Sequence, residues 1–271
     1  MYALLNDNLV SNEKIAALNN RGFKYGDGCF ETIRVVDGRV KHMELHFERL
    51  SNTLSALKLI LSNFTIQSFQ LELEKLIATN EISKGARIRY TVYRSGGGLY
   101  TPQENNANRL LEISTLDNNN YQLNDKGLNC GVCSEVVLSY HTYSQFKTLN
   151  ALPYVMASIY KDQSPYDNLI LLNKDKRAVE LCNANLFLIK GSTVFTPPIS
   201  EGCVKGVYRE YVINKLPNLG YKVIQDPIHI DAVSSADEIF ITNSISGIQW
   251  VSAFNKKRFL NSSIKKIVQG I

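Results

Sequence analysis

The ten residues Leu116-Asp-Asn-Asn-Asn-Tyr-Gln-Leu-Asn-Asp125 decide how this chain is divided. Asn and Asp favour turns because their short side chains bond back to nearby backbone. Here they separate the apolar Leu110-Leu-Glu-Ile113 from the apolar stretch after Gly127. The reading is a first domain over 1–115, an interdomain linker over 116–125 and a second domain over 126–271. Before the linker, Cys29–Val36 and Arg87–Tyr93 are β-branched or alternating enough to be strands. Leu50, Leu54, Leu57 and Leu61 share one helical face, which predicts an amphipathic helix over Lys41–Leu61, and Leu71–Ala78 reads as a second helix. After the linker, strands are expected at Leu128–Leu138, Asn168–Leu172, Asn185–Ile189 and Glu238–Thr242, with helices at Ala151–Tyr160 and Val207–Leu216. Strands and helices alternate in both parts, so the class is α/β or α+β in two domains.

The composition suits this size. In 271 residues, 44% are hydrophobic and 20% charged, which excludes disorder, collagen and coiled coil. A net charge of +5, spread along the chain without a basic run, gives no argument for nucleic acid. Five cysteines, an odd number, point to reduced thiols and a cytoplasmic location rather than a disulfide framework. No signal-peptide pattern opens the chain, and no apolar run approaches the roughly 18–20 residues that span a bilayer.

Several motifs fail on context. Cys130-Gly-Val-Cys133 has dithiol spacing, but its flanks read as a strand rather than the helix start that activates such thiols. His42-Met-Glu-Leu-His46 places two imidazoles four apart, yet Met43 stands where a zinc protease needs Glu, so a solvated helix face and no metal are expected. Gly26-Asp-Gly28 and Gly96-Gly-Gly98 are read as tight turns, not phosphate loops.

Four separated features remain. Lys147, flanked by Phe146 and Leu149, lies between a strand-like stretch and the helix from Ala151. Partial desolvation there would make its amine nucleophilic toward an aldehyde; the competing reading is a surface lysine at an element boundary. Glu180 falls between apolar strand-like segments, where a carboxylate requires partners. The loop Thr196–Gly206 runs into a helix at Val207, and Thr242-Asn-Ser-Ile-Ser-Gly247 follows a buried strand; both offer backbone donors to an anion. Arg49, beside the apolar stripe of the first helix, is a further candidate for a phosphate. A lysine, a carboxylate and an anion cradle together suit pyridoxal phosphate, although spacing alone does not prove it.

These residues carry a resemblance. Arg21-Gly-Phe-Lys-Tyr-Gly-Asp-Gly-Cys-Phe-Glu-Thr-Ile-Arg34 resembles the N-terminal signature of the class IV aminotransferases, the fold-type IV pyridoxal phosphate enzymes. Glu44–Leu50, the Lys147 segment, Glu180–Phe187, Thr196–Arg209 and Glu238–Val251 are similar to that family's later blocks, in the same order. The resemblance spans nearly the whole chain. It implies the D-amino-acid aminotransferase-like fold: a small α+β domain, and a larger domain with a barrel-like sheet carrying the cofactor lysine. It further implies that Lys147 holds the cofactor and moves a proton between substrate Cα and cofactor C4′. Glu180 would pair with the pyridine nitrogen. Arg49, Val207, Tyr208, Asn243 and Ser244 would hold the phosphate, and Tyr25 and Phe30 would line the substrate pocket. A homodimer is implied as well.

This sequence departs from the family at two places. Val207-Tyr208 stands where many relatives have Ile-Thr, and Trp250 precedes Val251 where many have Pro. For the reaction, Leu99 and Thr101 occupy the positions of an Arg-x-His pair used by D-amino-acid aminotransferases, which counts against that activity. Arg89 fits the strand arginine of branched-chain enzymes and would bind a substrate carboxylate, but Ala151 stands where those enzymes carry Tyr. Lys-x-Leu-Asn and the Gly-rich Arg94–Tyr100 resemble aminodeoxychorismate lyases. The expectation is an aminotransferase acting on an amino acid, branched-chain ones among the candidates, and a 2-oxo acid, with 4-amino-4-deoxychorismate lyase as the alternative. A non-catalytic or thiol-redox binding protein using Cys130 and Cys133 is the reading from a different class.

Overall fold

In the computed structural model, which describes residues 2–11 and 20–271, the chain divides into two units. The first comprises the residues up to Asn120 together with Phe146–Asn150; the second comprises Tyr121–Gln145 and Ala151–Ile271.

The first unit contains β1 (Tyr2–Leu5), β2 (Asn8–Ser11), α1 (Arg21–Tyr25), β3 (Gly28–Val36), β4 (Arg39–Val40), α2 (Met43–Ala56), α3 (Ile66–Thr79), β5 (Ala86–Arg94) and β6 (Ala107–Thr115). The strands form one antiparallel sheet in the order β2-β1-β6-β5-β3-β4. Ile33, Val35, Ile88 and Tyr90 of the sheet share a core with Leu50 and Leu54 of α2 and Phe69, Leu73 and Leu76 of α3. Burying each such Leu contributes about 1.5–3 kcal/mol.

The first long helix is shorter than its leucine spacing suggests. It stops at Ala56, and Lys58 turns left-handed at φ 54°. Leu59 N–H then donates back to the Leu54 carbonyl, and Ile60 leaves the helix to bridge Asn106. The guanidinium of Arg94 donates to the carbonyls of Leu57 and Lys58, a cation placed at the negative end of the helix. Leu61 is therefore buried from extended chain, not from a continuation of the helix.

The second unit contains β7 (Leu128–Leu138), α4 (Leu152–Asp162), β8 (Asn168–Asn173), β9 (Arg177–Leu181), β10 (Asn185–Lys190), β11 (Thr193–Thr196), α5 (Val207–Lys215), β12 (Lys222–Gln225), β13 (Ile228–His229), α6 (Ile230–Ser235), β14 (Glu238–Asn243), β15 (Gly247–Phe254), β16 (Lys257–Arg258) and α7 (Ser262–Gly270). Its mixed sheet runs β12-β11-β10-β14-β15-β7-β8-β9-β13, and β9 also pairs with β10. That extra pairing closes β10, β14, β15, β7, β8 and β9 into a ring, a small barrel filled by side chains. The registered pair at the closure is Asn185 with Glu180.

The turn-rich stretch expected as a linker is fixed within each unit. Arg34 donates to the carbonyls of Asn118 and Asn120 in the first. In the second, both N–H groups of Trp250 donate to Asn124, a backbone bond that Pro at this position would lack. The Lys147 segment, placed after the linker by the sequence boundaries, groups with the first unit. Phe30 N–H donates to the Lys147 carbonyl at 2.9 Å and Leu149 N–H to the Gly28 carbonyl at 3.0 Å, so the segment runs as an extra strand along the start of β3.

Burial corrects one expectation and removes one alternative. The His42–His46 face is not solvated at its second histidine: His46 is fully buried and its Nδ1 lies 2.6 Å from Glu31 Oε2, because Glu31 on β3 projects toward α2. Among the described residues no cluster suits a metal ion. The thiol-redox reading fails as well. All five cysteines are buried free thiols, and Cys130 and Cys133 sit in different hydrophobic clusters. Burial, with the Asp167 charge, pushes Cys130 up to about 12, so it is no thiolate. Among the described residues no helix is long and apolar enough to cross a membrane.

Candidate active site

In the first unit three of the expected residues meet on one aromatic ring. Arg89 lies with its guanidinium carbon 3.7 Å from the Phe30 ring centroid, and Lys147 Nζ is 4.5 Å from the same centroid. The sheet register explains the first contact. Phe30 pairs with Thr91, so Arg89, two residues along β5, projects from the same face. The extra strand explains the second, because it holds the backbone of Lys147 against Phe30. Lys147 is half-buried, and Arg89 is partly desolvated, which lowers its pKa against the opposing pull of Glu112. A cation above a ring face is attracted by the ring quadrupole. Tyr25 ends α1, where Gly26 turns left-handed; its ring stacks under Arg21 and touches Tyr100 at 5.8 Å.

Arg49 has a different neighbourhood. Side chains alternate along a strand, so Glu31 faces away from Phe30 and toward α2. Arg49 Nε and Nη2 donate to the two oxygens of Glu31 at 2.7 and 2.5 Å. Burial alone would raise the Glu31 carboxyl; the charge of Arg49 and the bond from His46 more than offset it and hold it at about 2.

In the second unit the closure of the ring builds a polar row. Glu180 on β9, Asn185 on β10 and Thr242 on β14 are successive cross-strand partners, so their side chains share a face. Glu180 is buried and accepts from the Tyr154 hydroxyl at 2.6 Å, Asn185 Nδ2 at 3.2 Å and Val204 N–H at 3.3 Å. Asn185 Nδ2 also donates to the Val204 carbonyl at 2.9 Å, tying the carboxylate to the loop that leads into α5. Gly206 caps α5 without a side-chain oxygen, and a Cβ there would lie 2.0 Å from Asn185 Oδ1. The hydroxyl of Thr242 is buried with no hydrogen-bond partner among the described residues.

The other expected phosphate ligands flank this row. Val207 and Tyr208 form the first turn of α5 with buried side chains, and the Tyr208 ring packs edge-on against Tyr121 at 5.0 Å. What α5 can offer an anion at Val207 is therefore backbone N–H. Asn243 Oδ1 accepts from the N–H groups of Ile245 and Ser246, so this side chain shapes its own turn. The Tyr121 hydroxyl donates to the Ser244 carbonyl at 3.0 Å. A glycine-capped helix start, an orphaned buried hydroxyl and a hydrogen-bonded carboxylate together fit an anionic, nitrogen-bearing cofactor. Tyr154, Asn185 and Thr242 were not singled out from sequence. Asn185 and Thr242 lie inside stretches that were, and only strand pairing reveals that they align with Glu180.

Known proteins are similar to this chain along most of its length. Residues 28–254 match the family described as amino-transferase class IV. An aminodeoxychorismate lyase from Vibrio harveyi is 27% identical over 93% of this chain and 94% of its own length. A D-alanine aminotransferase from Staphylococcus aureus is 27% identical over 89% and 84%. The crystal structure of a branched-chain aminotransferase from Thermoproteus uzoniensis with norvaline superposes with a TM-score of 0.90, at 22% identity, covering 99% of this chain and 92% of that one.

Proposed function

The chain belongs to the class IV aminotransferases, a pyridoxal phosphate-dependent family with the fold described above, and on that premise we propose that it moves an amino group between an amino acid and a 2-oxo acid. The observation that supports this most is the grouping of Lys147 and Arg89 on Phe30, an amine beside a guanidinium suited to a substrate carboxylate. When bound, pyridoxal phosphate supplies an electron sink that makes the substrate Cα–H acidic. Lys147 Nζ would be the group that accepts the Cα proton and gives it back. It is half-buried against Phe30, with its Nζ 4.5 Å from the ring centroid. Arg89 orients the substrate through its carboxylate, and Phe30 and Tyr25 line the pocket. Glu180 holds the ring nitrogen. The N–H groups at Val207 and Tyr208, the Asn243–Ser244 turn and Arg49 hold the phosphate. Arg49 has this role by resemblance, with its charge already balanced by Glu31. A second copy of the chain completes a homodimer, a reading supported by Leu152, Val155 and Ile159, exposed on one side of α4.

Aminodeoxychorismate lyase is the second reading, favoured by the Vibrio relative and by the Gly-rich loop at Ser95–Gly98. One comparison separates them: 2-oxoglutarate-dependent turnover of leucine or valine against release of p-aminobenzoate and pyruvate from aminodeoxychorismate. Transamination is expected, with KM for the amino acid raised at least tenfold in Arg89→Ala and kcat little changed. Release of p-aminobenzoate without transamination would replace the first reading with the second, and an unchanged KM removes Arg89 from the substrate site.

A further inference from the structure

We infer that Tyr154 is a positioning residue that fixes on which side the proton lies between Glu180 and the ring nitrogen of the bound cofactor; this rests on the assignment of Glu180 proposed above. A carboxylate facing a pyridine nitrogen has two ways to share one proton. It can remain a carboxylate opposite a protonated ring, or become a carboxylic acid opposite a neutral one. Burial favours the uncharged pair, since both ions lose their solvation. Donors bound to the carboxylate work the other way, because they stabilise only its ionised form.

Tyr154, Asn185 and Val204 are such donors to Glu180, and they are unequal. Asn185 Nδ2 and Val204 N–H approach at 3.2 and 3.3 Å, long for N–H donors. The Tyr154 hydroxyl approaches Oε1 at 2.6 Å, the short range of a charge-assisted O–H bond. Its position is held from the helix side. Tyr154 lies on α4, whose Ala157 is buried in the cluster with Cys182 and Cys203, and Ser158 one turn later donates to the Tyr154 carbonyl. Burial and the Glu180 charge push the Tyr154 phenol well above its usual range, so it stays a donor at any pH the fold tolerates. Cys203 feels the same carboxylate and is pushed up to about 12 by burial and that charge, so it adds no competing charge of its own. Tyr154 thus keeps the proton on the ring, where it strengthens the electron sink.

The test is the pH at which the ring nitrogen loses its proton, read by nitrogen NMR in enzyme loaded with pyridoxal phosphate carrying 15N in the ring. Tyr154→Phe should lower that midpoint by about one unit, a tenfold change, and Glu180→Gln should lower it further. A merely structural role would lower the melting temperature and leave the midpoint in place. A midpoint that moves in Glu180→Gln and not in Tyr154→Phe overturns the role of Tyr154 alone. A midpoint unmoved by either overturns the assignment of Glu180, and with it this inference. If Tyr154→Phe does not load, 3-fluorotyrosine at position 154 keeps the ring and sharpens the donor; the midpoint should then rise, and an unchanged value overturns the proposal.

Discussion

Glu31 shows how a single buried charge is read differently from sequence and from structure. In the sequence it is an acidic residue inside a signature, with no visible partner. In the structure it collects His46 and Arg49, which lie fifteen and eighteen residues further on. No local spacing rule couples a strand to the helix two elements later, so this network was not legible. Its energetics are testable. The folded carboxyl is held at about 2 against an ordinary 4.5, so the stability it gives is complete above about 4.5 and disappears as pH falls toward 2. His46 acts in the same direction. Burial lowers it below 6.5, so the unfolded chain takes up that proton first as pH falls. Glu31→Gln should therefore cost about 3–5 kcal/mol at pH 7, the usual cost of stranding one member of a buried pair. Urea unfolding at pH 7 and pH 3 checks it, and the gap to the parent protein should narrow at the lower pH. Lys147 and Glu180 were legible because each is a charged residue in an apolar context. Tyr154 was not, since a tyrosine on an amphipathic helix ordinarily fills a core.

At the scale of elements, strand cores were easier to find than ends. β7 was read at its observed bounds from its apolar alternation, and β3 and β5 to within a residue or so. The long helix was overextended because Leu57 and Leu61 continue its spacing, while its true stop depends on Arg94, more than thirty residues away. Gly206 raises a related point. Its φ of −66° is open to any residue, so conformation does not require glycine here. Space does: the Asn185 amide occupies the place of a side chain. Gly206→Ala should displace Asn185 from Glu180 and from the Val204 carbonyl. Affinity for pyridoxal phosphate should fall about tenfold, the equivalent of one lost hydrogen bond. A titration of cofactor into the stripped protein measures this, and an unaltered dissociation constant would show that Asn185 has no part in the site.

For the whole molecule, the boundary between the two units at Asn120 falls among the turn formers of 116–125, while the return of Phe146–Asn150 to the first unit has no such mark. A short excursion of five residues leaves no trace in composition. The closed ring was legible only through the family resemblance, which implied a barrel-like sheet; no local pattern marks it, because the contact that shuts it comes from one pair at the base of a hairpin. That same pair seats Glu180, so on the assignment proposed for Glu180, holding the cofactor and keeping the ring shut would be one thermodynamic event. A molecule bound at this seam acts as a rivet, adding about 2.7 kcal/mol to the closed state at a hundredfold excess over its dissociation constant. Amide exchange should register it at Leu181, whose N–H reaches the Ala184 carbonyl beside the seam: slow with cofactor, faster once it is removed. Equal exchange in both forms would mean that the ring stays shut without its rivet.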